Sequence, residues 1–241
     1  MTKIEWVKNP EGTQGMTLNP IKGICPIACS YCYARRMYKR FGWGKTPQYI
    51  PSVMEELRSL KKPTGIFLCS TFEWLWNTSW AHNIIDKVRE FPQHRFYLLT
   101  KRPELLEQFS PFPTNCWVGV SATNYDMANS ARYYLSNIKA KIKFISFEPL
   151  LNRIADRSNC PFRFEWGTDW VIIGAQTPYS KKTAPRVEWV KEIVESADKS
   201  GIPVFLKNNL WKAVVKPHGI PPLWARSRED ADILRQEMPI K

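Results

Sequence analysis

Six short apolar runs, at residues 65–69, 95–99, 116–120, 143–147, 170–173 and 203–206, constrain the fold more than any other feature of the chain. Each is nearly continuous in apolar character and rich in β-branched or aromatic residues. A strand with one wet face alternates polar and apolar residues, whereas a strand covered on both faces, as in a parallel sheet, loses that alternation. A weaker strand pattern lies within residues 16–24. Between the runs, apolar residues recur at helical spacing: Val53, Leu57 and Leu60; Trp80, Ile84, Val88 and Phe91; Tyr125, Ala128, Leu135 and Ile138; and Val187, Val190, Val194 and Ala197. Asn124 is placed to cap the third of these helices, and Gly201 followed by Pro203 to end the fourth. Residues 103–109 allow only a short helix. Strand–helix alternation of this kind predicts βαβ units and parallel strands. Seven strands in one unbroken series predict a single α/β domain spanning 1–241. Its expected architecture is a partial (β/α)6-7 TIM-like barrel, with the core at residues 16–210 and a Pro-rich tail at 211–241 wrapping over it. Residues 152–167 read as a long loop.

A chain of 241 residues is long enough for one large core. Its 44% hydrophobic and 24% charged residues exclude a disordered tail and a coiled coil. No apolar run approaches the roughly 18 to 20 residues of a membrane helix. The polar start, MTKIEWVKNPEG, lacks the apolar core of a signal peptide, so the expected location is cytoplasmic, away from the membrane. With 35 Lys+Arg against 22 Asp+Glu, the net charge of +13 points to a polyanionic partner.

Nearly every predicted strand ends in polar or reactive residues: Ser70 and Thr71 with Glu73 close by, Thr100 with Lys101 and Arg102, Ser121, Glu148, Gln176, and Lys207 with Asn208 and Asn209. In a parallel α/β barrel the carboxyl ends of the strands open on one face, and that face carries the active site. Glu148 is the sharpest of these signals. It follows an apolar run directly, where a carboxylate is costly unless it is paired or used.

Six cysteines are present, of which Cys25, Cys29 and Cys32 fall within eight residues while Cys69, Cys116 and Cys160 are scattered. A reducing compartment disfavours disulfides, and a tight cluster there reads as a metal or cluster site. Cys-x3-Cys-x2-Cys offers three thiolates from one loop. A 4Fe-4S cluster takes four, so three leave one iron open to substrate or cofactor. Structural zinc is the other reading; it takes four ligands, often with His, and His82, His94 and His218 are all remote in sequence. Cys69, Cys116 or Cys160 can in principle return as a fourth ligand.

The segment Cys25-Pro26-Ile27-Ala28-Cys29-Ser30-Tyr31-Cys32, with an aromatic residue before its last cysteine, resembles the hallmark of the radical S-adenosylmethionine superfamily. The resemblance implies a partial or full (β/α) barrel. It implies a 4Fe-4S cluster held by Cys25, Cys29 and Cys32, whose open iron chelates S-adenosylmethionine. Reduction through a flavodoxin-like or ferredoxin-like electron donor would then release a 5′-deoxyadenosyl radical. Further segments extend the resemblance: Ile4-Glu5-Trp6, Leu98-Leu99-Thr100-Lys101-Arg102-Pro103, Trp117-Val118-Gly119-Val120-Ser121, Ser146-Phe147-Glu148-Pro149-Leu150, Trp170-Val171-Ile172-Ile173-Gly174 and Phe205-Leu206-Lys207. They are similar to landmarks of a phage- and prophage-borne family of unassigned substrate, itself similar in outline to spore photoproduct lyase. The chain departs from that pattern at Ala175-Gln176, where Gly-Glu is expected, and at Asn208-Asn209, where Gln-Trp is more usual. By this resemblance Ser70, Thr71 and Glu73 bind the methionyl amino group. Ser121 and Glu148 contact the ribose or carboxylate, and Lys101 with Arg102 neutralises a carboxylate or phosphate. Cys69 is a candidate hydrogen donor to a substrate radical.

Arg35, Arg36, Lys39, Arg40 and Lys45 follow the cysteines, interleaved with Tyr33, Tyr38, Phe41 and Trp43. Cations can track a phosphate backbone while aromatic rings stack on bases. The expected substrate is therefore nucleic acid or a nucleotide, in repair or modification. A noncatalytic iron–sulfur protein that binds nucleic acid is the alternative from another class.

Overall fold

The computed structural model describes residues 1–164, 167–215 and 234–239. The chain forms two compact units, Met1–Gly119 with Ile138–Lys141, and Val120–Asn137 with Ile142–Lys241.

The first unit contains β1 (Met16–Leu18), β2 (Ile21–Lys22), α1 (Tyr33–Phe41), β3 (Gln48–Tyr49), α2 (Pro51–Glu55), β4 (Gly65–Leu68), α3 (Thr78–Arg89), β5 (Arg95–Thr100) and most of β6 (Cys116–Ser121). β1 runs parallel to β4 with Met16 opposite Ile66, and β4 runs parallel to β5 with Phe67 opposite Tyr97. The weak signal over residues 16–24 has a structural cause. The strand is two pieces split at Asn19-Pro20, and the second, β2, leaves the main sheet to pair antiparallel with β3. Pro20 has no N–H to continue a ladder. All four residues of β4 are buried, as its unbroken apolar run predicts. Trp6, 1% exposed, covers that strand, its ring 4.9 Å from Phe67 and 5.6 Å from Tyr97. The start of β4 is crossed so closely that a Cβ on Gly65 would lie 2.0 Å from the Lys8 carbonyl oxygen.

α3 is capped by Asn77, whose Oδ1 accepts from the Trp80 N–H at 3.0 Å, and it buries Ala81, Ile84, Ile85 and Val88. α2 opens at Pro51, where the missing N–H costs nothing, and gives way after one turn to a 3₁₀ segment at Glu56–Ser59. Pro103–Phe109 is likewise 3₁₀. α1 was not legible as a helix. Only Ala34 and Tyr38 are buried along it, too thin a stripe to stand out among six other basic and aromatic residues.

The second unit contains α4 (Tyr125–Ser136), β7 (Ile142–Phe147), β8 (Trp170–Ile173), α5 (Val187–Lys199) and β9 (Val204–Leu206). β7 and β8 are parallel with Phe144 opposite Trp170, and β8 and β9 are parallel with Val171 opposite Val204. Asn124 caps α4 as expected, accepting from the Met127 N–H at 2.9 Å. α5 stops at Gly201, which sits at φ 65°. Residues 152–164 form neither helix nor strand, and they are pinned by the buried rings of Phe162 and Phe164, which meet edge to face at 5.1 Å. Of the predicted tail, Trp211–Val215 forms a π-helical turn. Near the end of the tail, the Leu206 N–H donates to the Arg235 carbonyl and the Glu237 N–H to the Val204 carbonyl, so this segment covers the edge of β9. The wrapping expected of residues 216–233 lies outside the described residues.

The seven-stranded sheet has the order β1-β4-β5-β6-β7-β8-β9. Spatial order follows chain order without reversal. A doubly wound sheet reverses at a switch point, whereas single winding of parallel strands is the topology of a partial (β/α) barrel, as the sequence predicts. The carboxyl ends of its strands are therefore where a site is sought.

Candidate functional site

The cysteine loop begins at Gly23, whose φ of 104° and closeness to Thr46 and Pro47 admit no side chain: a Cβ there would lie 2.5 Å from the Thr46 carbonyl oxygen. The Gly23 N–H donates to the Tyr38 hydroxyl at 2.9 Å, which ties the loop to α1. Two successive turns follow. The Ala28 N–H donates to the Cys25 carbonyl at 3.4 Å, and the Cys32 N–H to the Cys29 carbonyl at 3.1 Å. Between them Ala28 takes the left-handed conformation at φ 56°, a strained choice for a residue with a Cβ. The Arg35 guanidinium reaches back to donate to the Cys25 carbonyl at 2.9 Å. Cys32 is the N-cap of α1, and no side chain caps the first-turn amides. Amides left open at a helix start favour a negative charge, and a thiolate is one.

All three thiols are half-buried. Burial pushes the Cys25 thiol above its usual range, with the Glu73 carboxylate and Cys32 adding to the effect. The Tyr31 phenol is also raised, by burial first and then by the Cys29 and Cys32 thiols, and it lies in hydrogen-bonding reach of Cys29. Tyr31 thus feels Cys29 and Cys32, while Cys25 feels Cys32 and Glu73.

Glu73 comes from the segment after β4. Cys69 turns that segment at φ 56° while its N–H donates to the Leu18 carbonyl. The Tyr33 hydroxyl donates to the Ser70 carbonyl at 2.6 Å, and Asn19 Oδ1 accepts from the Ser70 hydroxyl at 3.0 Å and the Thr71 N–H at 3.3 Å. Glu73 is 6% exposed. Its Oε1 accepts from the Thr100 hydroxyl at 2.6 Å and the Leu75 N–H at 3.2 Å, and its Oε2 from the Lys101 N–H at 2.8 Å. Burial raises its pKa, and these hydrogen bonds oppose the shift. The carboxylate named as a ligand grip is thus first of all a clamp between β4 and β5. Lys101 meets Glu73 through its backbone. Arg102 pairs with Glu104 at 3.2 Å, so a phosphate there would compete with that carboxylate. The Cys69 thiol is buried and held protonated, by burial first and then by the Glu73 charge. Cys116, also buried, is pushed up to about 12 by burial. Cys160 is exposed.

In the second unit Ser121 ends β6 and is 1% exposed. Glu148 follows β7 and is paired with Lys207, which follows β9 and is 8% exposed. The carboxylate that seemed costly by sequence has a cation. Gly174, just after β8, admits both: a Cβ there would lie 3.0 Å from Lys207 Cδ and 3.2 Å from both Glu148 Cγ and Asn209 Oδ1. Asn209 locks the turn by accepting from the Ala175 N–H at 3.0 Å and donating to the Ala175 carbonyl at 2.7 Å. Gln176 accepts from the Thr183 hydroxyl at 2.8 Å. Lys207 was legible only as a polar strand end, because its partner lies 59 residues away.

The donor chemistry of the cysteine loop fits an iron–sulfur cluster. Three thiols are presented from one anchored loop, half-exposed, at a helix start left open to negative charge. Among the described residues no group of three or more His, Cys, Asp or Glu is arranged to hold a metal ion. The fit therefore rests on donor type, three thiols on one anchored loop. Among the described residues no helix is long and apolar enough to cross a membrane.

A family model described as a protein of unknown function (DUF5131) matches residues 1–219, so the chain belongs to that family. No curated protein and no solved structure matches it.

Proposed function

We propose that this member of the DUF5131 family is a radical S-adenosylmethionine enzyme acting on nucleic acid or a nucleotide. The observation that carries the reading is the cysteine loop, which presents Cys25, Cys29 and Cys32, all half-buried, from two successive turns anchored by Gly23 and Arg35. Cys25, Cys29 and Cys32 would hold a 4Fe-4S cluster. When bound and reduced by a flavodoxin-like or ferredoxin-like donor, the cluster supplies the electron that cleaves S-adenosylmethionine to a 5′-deoxyadenosyl radical.

The chain's own groups orient and shield. Arg35 fixes the Cys25 carbonyl and so the first turn of the loop. The Tyr33 hydroxyl bonds the start of α1 to the segment carrying Ser70, Thr71 and Glu73, the residues assigned to the methionyl amino group. Glu73, held by three donors, presents a fixed carboxyl group beside the loop. Cys69 keeps its S–H, the form a hydrogen-atom donor needs. In the second unit Ser121 and Glu148 are assigned to polar groups of the cofactor or substrate, with Lys207 positioning Glu148. The exposed cations of α1, Arg36, Lys39 and Arg40, together with the net charge of +13, support a polyanionic substrate.

The test is anaerobic reconstitution with iron and sulfide, then low-temperature EPR of the reduced protein with and without S-adenosylmethionine. Product analysis for 5′-deoxyadenosine accompanies it. The expected result is a 4Fe-4S signal perturbed by the cofactor and formation of 5′-deoxyadenosine, both lost in Cys29→Ala. A cluster indifferent to the cofactor favours the noncatalytic binding protein, and stoichiometric zinc without iron overturns both.

A further inference from the structure

A cavity of about 450 Å³ in the first unit is lined by Asn19, Lys22, Tyr38, Trp43, Gln48 and Thr71, with Met37 and Gly44 completing it. It lies among α1, the antiparallel pair β2 and β3, and the segment after β4. We propose that it holds one nucleotide of the substrate, with the base against Trp43, the amides of Asn19 and Gln48 at the base edge and Lys22 at a phosphate. The inference rests on the nucleic-acid reading above and gives it a place.

Size and chemistry both favour this occupant. Ligand pockets run from roughly 300 to 1,000 Å³ and combine aromatic walls with a few polar groups that fix orientation. Trp43 is 44% exposed, an unusual state for the largest apolar side chain. It is nonetheless held in place: Tyr38 meets it edge-on at 5.2 Å and Phe41 stacks on it at 5.2 Å with 22° between the planes. Tyr38 is itself fixed by the Gly23 N–H. A rigid, half-exposed indole is a platform for a planar ring, and stacking against aromatic walls is how proteins hold an extruded base.

The polar lining is available for such a ligand. Asn19 Oδ1 is taken by Ser70 and Thr71, which fixes the amide plane. Among the described residues, Asn19 Nδ2, the Gln48 amide and the Lys22 ammonium have no hydrogen-bond or ion-pair partner. Amides read base edges, and an ammonium suits a phosphate. Arg36, Lys39, Arg40 and Lys45, all exposed, lie on or just after α1 and can track flanking phosphates. Thr71 places the cavity beside the proposed cofactor segment, so a base held there stands next to the chemistry.

The experiment is fluorescence anisotropy of labelled single-stranded DNA and RNA 12-mers against the anaerobically purified full chain at low salt. Trp43→Ala, Lys22→Gln and the triple variant Arg36→Gln/Lys39→Gln/Arg40→Gln are measured alongside, with melting curves to show that each is folded. Trp43→Ala is expected to weaken binding by roughly 5- to 100-fold, the range of one base–aromatic stack. Lys22→Gln should weaken it several-fold and lessen its salt dependence. Competition by unlabelled nucleoside monophosphates separates the sources: displacement means the cavity takes a free nucleotide, and none means it takes a nucleotide within a strand. If both single variants bind like the unaltered chain while the triple variant loses binding, the cavity is not the site and the nucleic-acid reading stands. If no strand or nucleotide binds at low salt while 5′-deoxyadenosine still forms, the nucleotide readings fall together and the enzyme class survives.

Discussion

The hydroxyl of Thr100 donates to Glu73 Oε1 at 2.6 Å, joining the end of β5 to the segment that follows its neighbour β4. The same hydroxyl oxygen accepts from the Arg102 N–H at 2.9 Å. Thr100→Val keeps the volume and removes both bonds. Glu73 is then left with two backbone donors in a buried place, and the Arg102 N–H loses its acceptor. Unsatisfied buried groups cost about 1–3 kcal/mol each, and for a chain of this size each kcal/mol moves Tm by about 2–4 °C. Thr100→Val should therefore melt lower by about 2–12 °C for each group left unsatisfied, while Thr100→Ser, which retains the hydroxyl, keeps most of the loss from appearing. Differential scanning calorimetry of the two variants checks this, and equal melting of Val and Ser would show that the hydroxyl is not the link.

A pH dependence follows from His94, which is 1% exposed and lies between the rings of Phe91 and Phe96. Its Nδ1 accepts from the Thr64 N–H at 3.1 Å, a bond that needs the ring nitrogen unprotonated. Burial lowers its pKa below 6.5, and the Leu57 carbonyl offsets only part of the shift. Below pH 6.5 the unfolded chain therefore takes up a proton that the folded chain resists. The stability this histidine contributes is complete above that value and is lost as pH falls from it toward the lower folded pKa. Urea denaturation between pH 7.5 and 5.5 should show this decline. His94→Asn, whose carboxamide oxygen can take the Thr64 N–H, should flatten it over that interval even though it lowers stability at neutral pH.

Gly23 and Gly42 are both at positive φ but differ in surroundings. A Cβ on Gly42 meets nothing within 4 Å, whereas one on Gly23 meets the backbone of Thr46 and Pro47 at 2.5–2.7 Å. Gly42→Ala should cost only the left-handed strain, about 1–2 kcal/mol. Gly23→Ala adds a backbone collision, typically another 1–3 kcal/mol, and it displaces the N–H that anchors the cysteine loop to Tyr38. The expected signature is a larger fall in Tm and lower iron content after reconstitution for Gly23→Ala, with iron content unchanged in Gly42→Ala. Equal iron content in the two would show that the loop's position does not depend on this anchor.

What the sequence revealed and what it hid divide along physical lines. The strands from β4 to β9 were legible because burial on both faces writes an unbroken apolar run into each. The caps at Asn124 and Gly201 were legible because they satisfy local backbone geometry. α1 was hidden because a surface helix carrying Arg35, Arg36, Lys39 and Arg40 needs to bury only Ala34 and Tyr38. The residue types of the site were legible as strand ends, but their pairings were not. Glu73 with Thr100 spans 27 residues, and Glu148 with Lys207 spans 59. Such links arise only when parallel strands bring distant segments side by side. The cavity beside Trp43 was hidden for the same reason, since its lining comes from five separate stretches of chain.

The Glu148–Lys207 pair lends itself to a double-mutant cycle. The Lys207 side chain is 11% exposed and that of Glu148 is 23% exposed, so neither charge is fully hydrated and neither is fully dry. Breaking a fully buried pair costs about 3–5 kcal/mol, and surface pairs contribute less than about 1. This pair lies between. Lys207→Met strands the carboxylate against Gly174 and Asn209 and should cost about 1–3 kcal/mol, whereas Glu148→Gln leaves a neutral amide near the ammonium and should cost less. In the double variant no unpaired charge remains, so its loss should fall short of the sum of the singles by about 1–2 kcal/mol. Denaturant melts of the four proteins measure that coupling. Repeating them at 0.5 M salt separates burial from exposure, because a pair this sheltered should keep most of its coupling where a solvent-exposed pair would lose it. Strict additivity would mean that Lys207 does not position Glu148, and the role assigned to Lys207 at the strand ends would fall with it.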